Sequence, residues 1–105
     1  MVIKQFKIIY APDVREHLLA IPHKFYTLVK LAIEEQLLYE PNIKTKNRKP
    51  LQFASQYGEW ELRCGPRNRF RVIYKFSIDE SKVFIGAIAE KRGNRIFVGG
   101  EEAKL

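Results

Sequence analysis

Arginine stands at every second position of Arg67-Asn68-Arg69-Phe70-Arg71, and the apolar run Val72-Ile73-Tyr74 follows. Alternate side chains of an extended strand share a face, so Arg67, Arg69 and Arg71 are expected on one side and Phe70, Val72, Tyr74 and Phe76 on the other. A guanidinium offers oxyanions a planar fork of donors. Lys91, Arg92 and Arg95 extend the same basic surface. A second cluster, Lys44, Lys46, Arg48 and Lys49, falls within a stretch that reads as a loop; such a loop presents cations to phosphates or is simply solvated. These residues suit the binding of something negatively charged: nucleic acid, an acidic protein, or both.

The charge is unevenly placed. Residues 1–40 carry five Lys/Arg against five Asp/Glu, so the whole net charge of +7 lies in residues 41–105. A chain of 105 residues fits one domain, and 46% apolar residues supply a core for it. Cys64 stands alone, which excludes an internal disulfide and a cysteine metal cluster and reads as a reducing, cytoplasmic setting. No zinc spacing and no Gly-x-x-x-x-Gly-Lys loop occurs, so neither a metal nor a small-molecule cofactor is expected. The longest apolar run, Val83 to Ala89, is far short of the ~20 residues that span a bilayer. The start, Met1 to Lys7, lacks the uninterrupted apolar region of a signal peptide. His17 and His23 fall in the neutral half and read as surface residues.

The elements that must position these cations follow from periodicity. Val2 to Tyr10 reads as a strand. Ala11-Pro12-Asp13 opens a helix with Val14, Leu18 and Ile21 on one face, interrupted at Pro22. A second helix is expected from His23 to Tyr39, its buried stripe made of Phe25, Leu28, Val29, Ala32 and Ile33. Pro41-Asn42 stops it, and residues 41–57 read as a loop. Strands are then expected at Trp60 to Arg63, Phe70 to Ser77, Val83 to Ala89 and Arg95 to Val98, with turns at Gly65-Pro66, Asp79-Glu80-Ser81 and Gly93-Asn94. Trp60 and Tyr74 read as core residues, and Glu101 to Leu105 as a short polar tail. The expected fold class is α+β, in the order β-α-α-β-β-β(-β): a mainly antiparallel sheet with a helical pair packed on one face and arginines on the other, wet face.

Several segments in this order resemble the RelE/ParE toxin superfamily: Lys46-Asn47-Arg48-Lys49-Pro50-Leu51, Trp60-Glu61-Leu62-Arg63, Arg69-Phe70-Arg71-Val72-Ile73-Tyr74 and Ile88-Ala89-Glu90-Lys91-Arg92-Gly93-Asn94-Arg95. Together they cover nearly the whole chain, as a single domain over residues 1–105. The resemblance implies a bacterial toxin of a type II toxin–antitoxin module, neutralised by a small cognate antitoxin. RelE-like members cleave mRNA in the ribosomal A site; ParE-like members poison DNA gyrase instead. A member without nuclease activity that keeps the fold and antitoxin binding, or a plain RNA-binding module, are further readings.

On the RelE-like reading the neighbouring 2′-hydroxyl attacks the phosphate, and cationic groups stabilise the charge without a metal. Arg71, in the Phe-Arg-Val-x-Tyr motif, matches the position of a functional arginine and would clamp the scissile phosphate. Lys91 would stabilise its charge or protonate the leaving oxygen. Arg63, Arg69, Arg92, Arg95, Lys46, Arg48 and Lys49 would hold the RNA backbone, and Phe97 aligns with an aromatic that stacks on a base. The chain departs from the pattern where Glu59 and Glu61 replace lysines, where Lys49 replaces a general-base glutamate, and where Phe97 replaces tyrosine. Glu59 or Glu61 would supply the base, or pair with Arg71 across the strands.

Overall fold

The computed structural model describes residues 4–104; Val2 and Ile3 of the expected first strand, and Leu105 of the tail, lie outside them. In chain order come strand β1 (Lys7–Tyr10), helix α1 (Val14–Leu19), a 3-10 turn (His23–Phe25), helix α2 (Tyr26–Leu37), strands β2 (Arg48–Ser55) and β3 (Gly58–Cys64), a second 3-10 turn (Pro66–Asn68), and strands β4 (Phe70–Ser77), β5 (Lys82–Arg92), β6 (Arg95–Val98) and β7 (Glu101–Ala103). The chain is a small α+β protein.

Two strands stand where irregular chain was expected. Residues 41–57 are not all loop: β2 runs from Arg48 and pairs with β3 at Arg48, Lys49, Pro50 and Ser55, with a register shift between Pro50 and Ser55. The polar tail contains β7, which pairs with β6. Both lie at the margins of the sheet, whose order is β2-β3-β4-β5-β6-β7. Margin strands need bury only one edge and part of one face, so neither carries a run of apolar residues.

Strand β5 is the axis of the sheet. One side of it pairs with β4 along its length. The other side is shared: β1 runs parallel to Lys82–Ile85, and β6 runs antiparallel to Ala89–Arg92. The sheet forks between them. At the fork the N–H of Ile88 donates to Nδ1 of His17 at 3.3 Å. His17 is thus not a surface residue: it is 7% exposed, because α1 lies across the fork and its imidazole fills the gap in the ladder. Gly86 lies in the same stretch, and a Cβ there would sit 1.8 Å from the carbonyl oxygen of Tyr57.

The helices cover one face. Val14 and Ile21 from the α1 region, and Val29, Ile33 and Leu37 one turn apart along α2, pack on Leu62, Phe70, Val72, Tyr74, Val83, Ile85 and Ile88. Full burial of one such side chain stabilises the fold by roughly 1.5–3 kcal/mol. Leu28, expected in the α2 stripe, is exposed; Leu37 takes its place because a straight i, i+4, i+8 line faces the sheet. Tyr74 donates its hydroxyl to the carbonyl of Pro41 at 2.7 Å, and Trp60 packs at the core margin beside Tyr74 and Phe76. The opposite face is not uniformly wet. The sheet bears a second buried cluster there, Ile73, Ala87, Ala89 and Val98, flanked by Leu51, Tyr57, Ile96 and Ala103. No helix among the described residues is long and apolar enough to cross a membrane.

Candidate nucleic-acid interface at one end of the sheet

Register places the cations. Arg63 stands opposite Arg71, and Arg71 opposite Ala89. Lys49 stands opposite Glu61, and Lys91 opposite Ile96. Pleating therefore puts Lys49, Glu61, Arg63, Arg71 and Lys91 on the face away from the helices. The next rung, Phe70, Glu90 and Phe97, and beyond it the pair Arg92 and Arg95, face the helix side. The expected single basic face is thus corrected: the cations share one end of the sheet and divide between its two faces. Their common end is where β3 closes, β4 opens and the β5–β6 hairpin turns.

Arg67 and Arg69 do not belong to the strand at all. Gly65-Pro66 starts a 3-10 turn that runs to Asn68, and β4 begins only at Phe70. The turn holds Arg67 and Asn68 at φ 55° each, a left-handed conformation that costs a non-glycine residue roughly 1–2 kcal/mol. Neighbours must hold it. Asn68 N–H donates to Gly65 O and Arg69 N–H to Pro66 O, each at 3.0 Å, and Lys91 N–H donates to Arg69 O at 2.8 Å. Arg71 Nε donates to the carbonyl of Asn68 at 3.3 Å.

Two carboxylates organise the arginines. Oε1 of Glu61 accepts from Arg71 Nη1 and from Arg63 Nε, both at 2.7 Å. The hydrogen bonds of Arg71 use Nε and Nη1 and none uses Nη2, in a side chain that is 12% exposed. Glu90 was not singled out as a functional residue from sequence, yet it is the hub of the helix-facing side. It is 2% exposed. Its Oε2 accepts from Arg69 Nε at 2.7 Å, and its Oε1 accepts from Arg92 Nε at 3.1 Å and Nη2 at 2.9 Å. The Arg69 guanidinium also lies over the Phe25 and Phe70 rings, and Arg92 lies 4.6 Å from the centroid of Phe97. Phe97 is therefore half-buried under a cation rather than open for stacking. The Glu-Lys-Arg run at the end of an apolar strand was the signal available for Glu90, since a carboxylate on the core side of a strand needs basic partners.

The other expected residues separate. Arg48, expected to contact RNA, is 3% exposed. Its Nε donates to Ile43 O at 2.7 Å and its Nη1 to the carbonyl of Gln36, so it closes the C-terminal end of α2 and reaches no phosphate. Lys46 is exposed just before β2, and Lys49 is half-buried beside Glu61. Lys91 is exposed. Arg95 is exposed and lies 3.7 Å from Glu102. Glu59 is exposed two residues along β3 from Glu61, away from the cationic end, and makes no ion pair among the described residues. Glu61, not Glu59, meets Arg71.

The chemistry open to this end is acid–base and electrostatic. Burial pushes the Cys64 thiol up to about 11, so it stays protonated and is no nucleophile. Among the described residues no group of three or more His, Cys, Asp or Glu is placed to hold a metal ion. What remains is a carboxylate in contact with two guanidinium groups, with two lysines on the same face. Comparison with protein-family models finds none that matches the chain, and comparison with curated proteins finds no significant relative.

Proposed function

We propose that the protein is the toxin of a type II toxin–antitoxin module, with a RelE-like fold, and that it cleaves mRNA on translating ribosomes in the bacterial cytoplasm. One observation carries the reading: Arg71 and Glu61 touch at 2.7 Å at the cationic end, on the face that also carries Arg63, Lys49 and Lys91. The motif resemblance supports it, and the small α+β fold is compatible with it. In the proposed reaction Glu61 takes the proton of the 2′-hydroxyl, whose oxygen attacks the adjacent phosphorus. Arg71 holds the non-bridging oxygens through Nη2. Lys91 protonates the 5′-oxygen as its bond to phosphorus breaks, leaving a 2′,3′-cyclic phosphate and a 5′-hydroxyl. A cognate antitoxin with an acidic segment would neutralise the toxin.

Controlled expression followed by primer extension on a translated message tests the reading. Wild type is expected to cut within codons and to arrest translation, and Arg71→Ala to lower cutting at least 100-fold while staying folded. A folded Arg71→Ala variant that cuts at the wild-type rate would remove Arg71 from this role. A second reading, a ParE-like gyrase inhibitor or a member without nuclease activity, is favoured by the carboxylate partners of Arg63, Arg69, Arg71 and Arg92. It predicts intact messages on induction, with DNA damage and filamentation where gyrase is the target.

A further inference from the structure

We infer that Glu90 is a positioning residue for the proposed cleavage, acting from the helix-facing side of the sheet to fix Arg71 and Lys91 on the other. The inference rests on the functional reading above. Its physical path is short. Oε2 of Glu90 holds the Arg69 guanidinium through Nε at 2.7 Å and Nη2 at 2.5 Å. Arg69 closes the turn, and its own carbonyl accepts from the N–H of Lys91 at 2.8 Å. The preceding carbonyl, of Asn68, accepts from Nε of Arg71 at 3.3 Å. Both cations assigned to the phosphate are therefore anchored to a turn whose left-handed Arg67 and Asn68 depend on outside support. The other oxygen of Glu90 ties in Arg92 at the end of β5.

A carboxylate is a liability on a surface that takes phosphates, because it repels them and occupies two arginines. That liability makes the proposal distinctive. A residue that served binding would lower affinity when removed, and one that served only stability would lower binding and cleavage together. A positioning carboxylate should show the opposite signs: its removal frees two guanidinium groups for RNA and disorders the groups that cut it.

The test compares wild type with Glu90→Gln. Affinity for a single-stranded RNA oligonucleotide is read by fluorescence anisotropy. Cleavage of a ribosome-bound message is read at saturating toxin, and the arginine Nε–Hε signals by 1H–15N NMR. Affinity is expected to hold or tighten up to several-fold, the saturated cleavage rate to fall at least 10-fold, and the Arg71 Nε–Hε signal to lose protection from exchange. A saturated rate within 2-fold of wild type would overturn the inference, as would a loss of rate matched by an equal loss of affinity. Should Glu90→Gln fail to fold, Arg69→Lys keeps the charge without the fork and is expected to give the same split. If wild type cuts no message, the functional reading fails by itself. The Arg71 Nε–Hε signal then judges the link separately: unchanged protection in a folded Glu90→Gln protein sinks it.

Discussion

Arginine has three fates in this chain, and the nearest acceptor decides each one. Arg48 is buried against backbone carbonyls, Arg69 and Arg92 clamp a buried carboxylate, and Arg71 divides its donors between a carbonyl and a part-buried carboxylate contact on the other face. Arg69, Arg71 and Arg92 each keep one terminal nitrogen outside these bonds, and Arg71 alone of the three does so on the face away from the helices. Arg48 makes a residue-scale prediction possible. Its guanidinium satisfies the carbonyls of Gln36 and Ile43, and its ion pair with Glu40 is loose at 3.7 Å. Replacement by methionine keeps much of the volume and orphans both carbonyls, each costing ~1–3 kcal/mol. Arg48→Met is therefore expected to lower unfolding free energy by about 2–4 kcal/mol in urea titration. RNA affinity of the folded fraction should stay within 2-fold. A stable Arg48→Met protein with weakened RNA binding would return Arg48 to the interface.

Element by element, legibility followed burial. Strand β5 is legible as an apolar run from Val83 to Ala89 because residues on both of its faces, Val83, Ile85 and Ile88 on one and Ala87 and Ala89 on the other, are buried. The amphipathic α2 was read for the same reason on one side. Strand β2 has no legible strand pattern because it is a margin strand with Pro50 inside it and Gln52, Phe53 and Ala54 exposed; Phe53 is 77% open to solvent. The arginine alternation is legible but does not belong to one strand: Gly65-Pro66 carries its turn on to Arg69, so only Arg71 obeys the strand period. No local pattern could announce the fork, since it arises from two strands sharing one side of β5. His17 plugs that fork and yields a pH prediction. Desolvation lowers its pKa from the usual value near 6.5, against the opposing pull of Asp13 and Glu16. The unfolded chain then binds the proton more readily than the folded one. Stability contributed by His17 is complete above about pH 6.5 and declines as pH falls below it, levelling off once the folded imidazole is also charged. His17→Gln, which keeps an acceptor and cannot titrate, should flatten the decline of thermal stability below about pH 6.5. An unchanged slope in that variant would assign the titration elsewhere.

At the scale of the whole molecule, about four of the seven surplus positive charges gather at one end. Arg63, Arg67, Arg69, Arg71, Lys91, Arg92 and Arg95 gather where β3, β4, β5 and β6 meet their turns, against Glu61, Glu90 and Glu102. The far end carries Asp79 and Glu80 beside Lys82. An RNA strand that meets the net surplus of about four cations would release a matching set of counterions, giving a slope of roughly −3 in log affinity against log salt. Between 50 and 200 mM salt the affinity should then fall about 50-fold. The distribution of the charge makes the prediction specific. Lys91→Ala combined with Arg95→Ala should shallow the slope by about 1–1.5, since each lost phosphate contact removes ~0.7. Lys4→Ala combined with Lys30→Ala removes the same charge from the helical half and should leave the slope unaltered. Equal slopes for the two double variants would mean that RNA senses only net charge, and the concentration of cations at one sheet end would then have no part in binding.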